Sequence, residues 1–251
     1  MKEWITGRNP VFEVLRARRR QAFRLLVAAG VEEKGRLDEI LRLAGARKLS
    51  VNRVPRQQLD ALGEGHQGVA LEVSGYPYAA IRDILALAQQ RSEALFVLAL
   101  DLIQNPQNLG TLLRSAEAVG VHGVILPLAR AAGVTPAVVY ASAGASEHLL
   151  VAQANLAQAL ASLKEEAGAW VIGLEGGTGA QPVELAPLDG PLALVVGNEG
   201  EGMRALVRKT CDALVALPMM GKIESLNAAV AGSIVLYRAL EARQNKHRGA
   251  Y

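Results

Sequence analysis

From about residue 95 onward the chain alternates uninterrupted apolar runs with amphipathic stretches, and this alternation limits the possible folds more than any other feature. The runs are FVLALDL, HGVILP, EHLLVA, AWVIGLE, PLALVVG and DALVALP. A strand with one wet face alternates apolar and polar residues, so runs that are apolar throughout belong to a parallel sheet covered on both faces. The intervening LGTLLRSAEAVG, TPAVVYASAGA, NLAQALASLKEEAG and EGMRALVRKT carry helical spacing. Strand and helix in turn predict an α/β, doubly wound parallel sheet over 95–251, with ligands bound beyond the carboxyl ends of its strands.

The first 75 residues form a smaller α/β unit. GRNPVFEVLRAR is helical, FRLLVAA is a short strand, and GRLDEILRLAGAR places Leu37, Ile40, Leu41 and Ala44 on one helical face. PRQQLDALG then gives a short helix and HQGVALEVS a strand. GYPYAA breaks the pattern, so 76–94 reads as a linker followed by the first helix of the larger domain. At 251 residues and 51% hydrophobic content the chain can bury a sizeable core. No apolar run approaches the roughly 20 residues of a membrane span, and MKEWITGRNP lacks the apolar core of a signal peptide, so the cytoplasm is expected.

Metal and disulfide chemistry find no residues here. Cys211 is the single cysteine and reads as a core residue; His66, His122, His148 and His247 lack metal-ligand spacing. Charge is uneven: residues 1–75 hold 14 Lys and Arg against 9 Asp and Glu, a net of +5, and the rest of the chain is at −2. Arg16, Arg18, Arg19 and Arg20 cluster near Arg8 and Arg24, as a phosphate footprint would, or as cations at a solvated helix end.

Three polar or Gly-rich segments follow predicted strands of the larger domain. In DLIQNPQNLGTLLRSAEAVG, Asn105, Pro106 and Asn108 make a turn, Gly110 and Thr111 enter a helix, and Arg114 lies one turn on. In LVVGNEGEGM, Gly197, Gly200 and Gly202 let the backbone approach a ligand, and Asn198 and Glu199 offer polar side chains. In PMMGKIESLNAAVAG, Ser225 is placed either to cap the helix that follows or to wall a site. The small residues Ala228, Ala229, Ala231 and Gly232 let that helix pack very close to its neighbours. GLEGGTG imitates a dinucleotide loop, but Gln181 and Pro182 follow where the fingerprint must open a helix, so it reads as a plain loop.

NPQNLGTLLRSAEAVG, LVVGNEGEGM and LPMMGKIESLNAAVAG, in this order, resemble the three motifs of the SpoU/TrmH branch of SPOUT RNA 2′-O-ribose methyltransferases. GRNPVFEVLRAR and HQGVALEV resemble the L30e-like substrate-binding domain of one branch, which includes a ribosomal RNA guanosine methyltransferase. The resemblance implies a C-terminal trefoil knot, a homodimer and S-adenosylmethionine as cofactor. It implies cofactor contacts at Gly197, Asn198, Glu199, Gly200, Gly202, Leu217, Met219 and Leu226, and chemistry at Asn108, Arg114, Glu199, Ser225 and Asn227. RNA would meet Arg8, Arg16, Arg18, Arg19 and Arg20. A guanosine of large-subunit ribosomal RNA is the expected target; a transfer RNA methyltransferase and a non-catalytic ribosome-associated protein are the alternatives. Gln107 and the Ala228-Ala229 pair depart from the family's commoner residues without touching a proposed catalytic position.

Overall fold

The computed structural model describes residues 2–176, 179–198, 200–223 and 225–248, which fall into two compact units. The first unit runs to Pro77 and takes up Val134–His148. Its strands are β1 (Lys2–Thr6), β2 (Ala22–Ala28), β3 (Ser50–Val54) and β4 (Val69–Ser74), in the order β1-β4-β2-β3. β4 is antiparallel to both neighbours, and β3 is parallel to β2. The two edge strands carry no apolar signal: SVNRV buries only Val54 and KEWIT only Ile5, so periodicity passes over them. Helices α1 (Arg8–Ala17) and α2 (Arg36–Ala46) pack together, burying Val11, Val14 and Leu15 against Leu37, Ile40 and Ala44. α3 (Arg56–Asp60) adds Leu59 to the opposite side of the sheet, beside Leu26, Ala28 and Ala70.

α1 stops at Ala17 because Arg18 takes a left-handed conformation, φ 58°. The arginines beyond it therefore leave the helix and turn inward. Arg20 is fully buried between Glu3, 2.7 Å away, and the fully buried Glu147, whose Oε1 lies 2.9 Å from Nη2. Glu147 comes from the returning segment, a helix over Pro136–Ala141 and a 3-10 turn over Ala145–His148. EHLLVA is thus not one strand. Glu147 and His148 close that turn, and only Val151–Ala154 pairs with the second sheet, because the Glu147 carboxylate is buried on Arg20 and not on a sheet edge.

The second unit holds α4 (Ile81–Arg91), β5 (Phe96–Leu100), α5 (Pro106–Ala118) and β6 (Gly123–Pro127); α6 is the Pro136–Ala141 helix already placed in the first. Then follow β7 (Val151–Ala154), α7 (Leu156–Ala167), β8 (Trp170–Leu174), the two-residue β9 (Gln181–Pro182), β10 (Leu192–Val196), α8 (Ala205–Thr210), β11 (Ala213–Ala216) and α9 (Ala228–Arg248). The seven strands form one parallel sheet, ordered β7-β6-β5-β10-β8-β11-β9, with Leu192 opposite both Phe96 and Trp170. β5, β6 and β10 are buried at every residue, which is why their sequences are apolar without alternation. One face of the sheet (Val97, Ala99, Val171, Ala193, Val195) packs on Ile84 of α4, Leu156, Leu160 and Leu163 of α7, and Val207 of α8. On the other face lie α5 and α9, in contact with each other and reaching Val196 through Gly232. Each fully buried Leu, Ile or Val contributes about 1.5–3 kcal/mol relative to exposure, so both faces are needed to hold the sheet.

α5 begins on Pro106, with the Asn105 side chain accepting the Gln107 N–H at 2.8 Å. Gly110 and Thr111 therefore sit inside the helix, not at its entry. α9 is capped by Asn227, whose Oδ1 accepts the N–H groups of Ala229 (3.0 Å) and Val230 (3.2 Å). Ser225 is not the cap. The helix starts at Ala228, so its free donors fall to the residue immediately before it.

Candidate active site

Three strand ends and one helix start converge on a cavity of about 480 Å³ at the carboxyl edge of the second sheet. β8 supplies Leu174, Glu175 and Gly176; β10 supplies Val196, Gly197, Asn198, Gly200, Glu201 and Gly202; β11 supplies Ala216, Leu217 and Met219; Ser225, Leu226, Ala228 and Ala231 close the wall. The size suits a nucleoside-like ligand. The charge is one-sided. Glu175 and Glu201 are the ionisable residues among the described lining, with no Lys or Arg; Glu175 is paired with Arg208 at 2.8 Å behind the wall, so the net negative charge that favours a cationic ligand comes from Glu201.

The glycine loop is built backbone on backbone. A Cβ on Gly197 would lie 2.6 Å from the Gly202 carbonyl carbon and 2.7 Å from the Met203 nitrogen, so no side chain fits that position. Asn198 and Gly202 exchange backbone hydrogen bonds of 3.1 and 3.0 Å. The Asn198 side chain accepts the Gly200 N–H at 2.8 Å and donates to the Leu102 carbonyl at 3.1 Å, so its amide braces the loop from within. A second brace is Asp101, fully buried at the end of β5. Its carboxylate accepts the Arg204 backbone N–H and the Arg204 Nε–H, each at 2.8 Å.

α5 and α9 bring the two asparagines together: Asn227 Nδ2 donates to Asn108 Oδ1 at 3.1 Å. About two turns further along the same contact, the Ser115 and Ser233 hydroxyls meet at 2.7 Å. Arg114 lies on α5 outside the cavity lining; it is exposed, with no hydrogen bond or ion pair among the described residues. Glu199 lies outside the described residues. Of the sequence-derived cofactor set, Gly197, Asn198, Gly200, Gly202, Leu217, Met219 and Leu226 line one cavity together with Ser225.

Sequence reasoning missed Leu174, Glu175 and Gly176, which belong to the very stretch dismissed as a dinucleotide loop. The signal was available: the stretch directly follows a parallel strand, at the edge where such sheets bind ligands. It also missed Asp101, whose burial no local pattern announces.

The five arginines of the first unit divide. Arg16, paired with Glu13 at 3.6 Å, and Arg18 are exposed; Arg8 bonds the Gln67 backbone and side chain. Arg19 donates to the Tyr76 hydroxyl (3.1 Å) and the Pro77 carbonyl (3.0 Å). Arg20 is withdrawn from solvent altogether, so its charge serves the buried pair with Glu147 and reaches no external phosphate. Burial pushes Glu147 up from the usual carboxylate range, opposed by Arg20 and Arg19, and pushes Tyr76 up to about 12. Cys211 is likewise pushed up to about 11 by burial, which fits a core thiol with no reactive role. No group of His, Cys, Asp and Glu among the described residues could hold a metal ion.

Residues 95–237 match the SpoU rRNA Methylase family, and residues 4–79 match the family described as RNA 2′-O ribose methyltransferase substrate binding. A protein of Bacillus subtilis (strain 168) named as a TrmH family tRNA/rRNA methyltransferase, YacO, is 40% identical over 245 residues, 96% of each chain. A tRNA/rRNA methyltransferase of Mycobacterium ulcerans (strain Agy99) is 44% identical over 247 residues, 97% of this chain and 78% of its own length. Among solved structures, the SpoU methyltransferase AviRb from Streptomyces viridochromogenes in complex with AdoMet superposes with a TM-score of 0.81 at 24% identity, covering 97% of this chain and 91% of AviRb. The AdoMet-bound rRNA methyltransferase from Sinorhizobium meliloti gives 0.78 at 24% identity over 96% and 87%. Matched by the family model over more than half its length and 40% identical to a TrmH protein end to end, the chain is a member of the SpoU/TrmH family of tRNA/rRNA methyltransferases.

Proposed function

We propose that this protein is an S-adenosylmethionine-dependent RNA 2′-O-ribose methyltransferase that acts as a homodimer on a guanosine of large-subunit ribosomal RNA. The observation that carries the reading is the convergence of the 174–176, 196–202 and 216–226 segments on one cavity whose ionisable lining is acidic. The cofactor fits that lining: a close backbone approach at Gly197, apolar walls from Leu217, Met219 and Leu226, and carboxylates rather than cations around a sulfonium. In this reading those segments are also the crossings of the family's knot. When bound, S-adenosylmethionine supplies a methyl group on a positively charged sulfur.

The chain's own residues must hold the ribose in line with that methyl group and ease the loss of the hydroxyl proton. Asn108 and Asn227, already joined across α5 and α9, orient the ribose, and Ser225 stands at the cavity wall. Arg114 acts electrostatically: its guanidinium on the adjoining phosphate offsets the negative charge that develops on the ribose oxygen as the hydroxyl proton leaves. Glu199, outside the described residues, is assigned with the cofactor by the motif alone. A front domain matched over 4–79 to a substrate-binding family favours ribosomal RNA over a small substrate, and the exposed Arg16 and Arg18 offer it phosphate contacts. An RNA substrate of this kind sets the cytoplasm as the site of action; among the described residues no helix is long and apolar enough to cross a membrane. The homodimer is supported by α9, where Val230, Ile234 and Tyr237 form one exposed apolar stripe at helical spacing.

The test is Arg114→Ala, with ribose-methylation mapping of ribosomal and transfer RNA and calorimetry of the cofactor. Methyl transfer should fall at least a hundredfold, the scale on which one charge-stabilising group acts, with cofactor affinity unchanged. Normal turnover in the variant would sink the role of Arg114. Absence of heat with S-adenosylmethionine in the wild type would sink the whole reading.

A further inference from the structure

The carboxyl edge of the second sheet holds another concavity, of about 430 Å³, at the ends of β6 and β7. Leu128 and Arg130 follow β6, Asn155 and Ala157 open α7, and Arg204 and Leu206 open α8. Its charge is opposite to that of the cofactor cavity: Arg130 and Arg204 line it, with no Asp or Glu among the described lining. Both guanidinium groups have donors to spare. Arg204 uses Nε on Asp101, and neither its Nη atoms nor the Arg130 guanidinium has a hydrogen-bond partner among the described residues. The first turn of α7 has no acidic residue, so its N–H end adds to the positive field. Leu128 and Leu206 are 70% and 64% exposed, two large apolar side chains left in water at the rim of a cationic cleft.

Apolar surface beside two guanidinium groups with free Nη donors, Arg204 held by Asp101 through its Nε, suits a single nucleotide: a base to cover and a phosphate to bind. The two linings follow one another along the chain: Gly202 lines the first cavity, and Arg204, two residues on and fixed by Asp101, lines the second. We propose that this cleft is a subsite for an RNA nucleotide neighbouring the methylated one, with its base against Leu128 and Leu206 and its phosphate on Arg130 and Arg204. The inference rests on the RNA-methyltransferase reading and names where the substrate strand crosses the sheet edge. The partition follows from charge: the cation-accepting cavity is acidic, and the anion-accepting one is basic.

The experiment is steady-state methylation of RNA by the full chain, comparing wild type with Arg130→Glu and Leu206→Ala. Arg130→Glu should raise KM for RNA about tenfold or more, the equivalent of about 1.4 kcal/mol. It should also reduce the slope of log affinity against log salt by about 0.7, as expected for one phosphate contact on a single strand. Leu206→Ala should raise the same KM with the salt slope unchanged, since it removes only apolar contact. In both variants cofactor affinity, the rate at saturating RNA and the melting temperature should match the wild type. Wild-type methylation with unchanged KM and salt slope in Arg130→Glu overturns the subsite. A changed sedimentation coefficient in place of a changed KM assigns the cleft to protein contact and overturns it too. A wild type that binds S-adenosylmethionine and methylates no RNA defeats the reading beneath, and the subsite with it.

Discussion

Gly197 and Gly200 stand three residues apart in one loop and do different things. A Cβ at Gly197 would be driven into the backbone of Gly202 and Met203, atoms that no rotamer change can move. At Gly200 it would meet only the Asn198 Oδ1 at 3.5 Å, an ordinary contact, and the hydrogen bond from the Gly200 nitrogen would survive. Gly197→Ala should therefore cost about 1–3 kcal/mol, the usual price of forcing atoms into a filled space, and abolish cofactor binding. Gly200→Ala should stay within about 0.5 kcal/mol of wild type. Urea denaturation and calorimetry with S-adenosylmethionine read both; equal behaviour of the two variants would contradict the geometry. The density of glycine was legible in LVVGNEGEGM, but which glycine is irreplaceable was not, because the obstructing atoms come from a turn that closes only in three dimensions.

At the scale of elements, the junction of β5 and β6 depends on one neutral imidazole. His122 is 2% exposed; its Nδ1 accepts the Phe96 N–H at 3.0 Å, and its Nε2 faces Glu93 Oε2 at 2.9 Å. Nδ1 must be unprotonated to accept, and burial holds the His122 pKa below its usual value despite the opposing pull of Glu93. The folded state thus resists a proton that the unfolded chain accepts near pH 6.5. Stability from this group is complete above that pH and is lost as pH falls below it. The urea midpoint of the wild type should drop between pH 6.5 and 5, and His122→Gln, less stable at pH 7.5, should lose less over the same interval. Parallel pH profiles would remove His122 as the cause. Sequence periodicity located β5, α5, β6, α7, β8 and β10 within a few residues, because burial on both sides writes itself into apolar runs. It passed over β1, β3 and β9, whose pairing comes from neighbours rather than from their own side chains.

At the scale of the molecule, the stripe of Val230, Ile234 and Tyr237 is 46%, 38% and 49% exposed on a 21-residue helix whose other side packs on α5. If a second copy covers it, Ile234→Asp should convert the dimer to a monomer in sedimentation velocity, because burying an unpaired carboxylate at an interface costs several kcal/mol. A wild type that sediments as a monomer would dispose of the dimer. Within the first unit, Arg20 and Glu147, 127 positions apart, join the returning 134–148 segment to the front of the chain. Removal of either partner from such a buried pair leaves a bare charge, typically at a cost of about 3–5 kcal/mol.

The sequence by itself determined the parallel sheet and the glycine-rich loop at its carboxyl edge, because apolar run length, helical spacing and glycine density are local consequences of burial and backbone freedom. Tertiary structure alone decided that Asn227 rather than Ser225 caps α9, that Arg20 faces inward, that Glu175 belongs to the cavity, and that a basic cleft lies along the same edge as an acidic one. Each of these depends on atoms brought together from distant parts of the chain, and no window of sequence contains them.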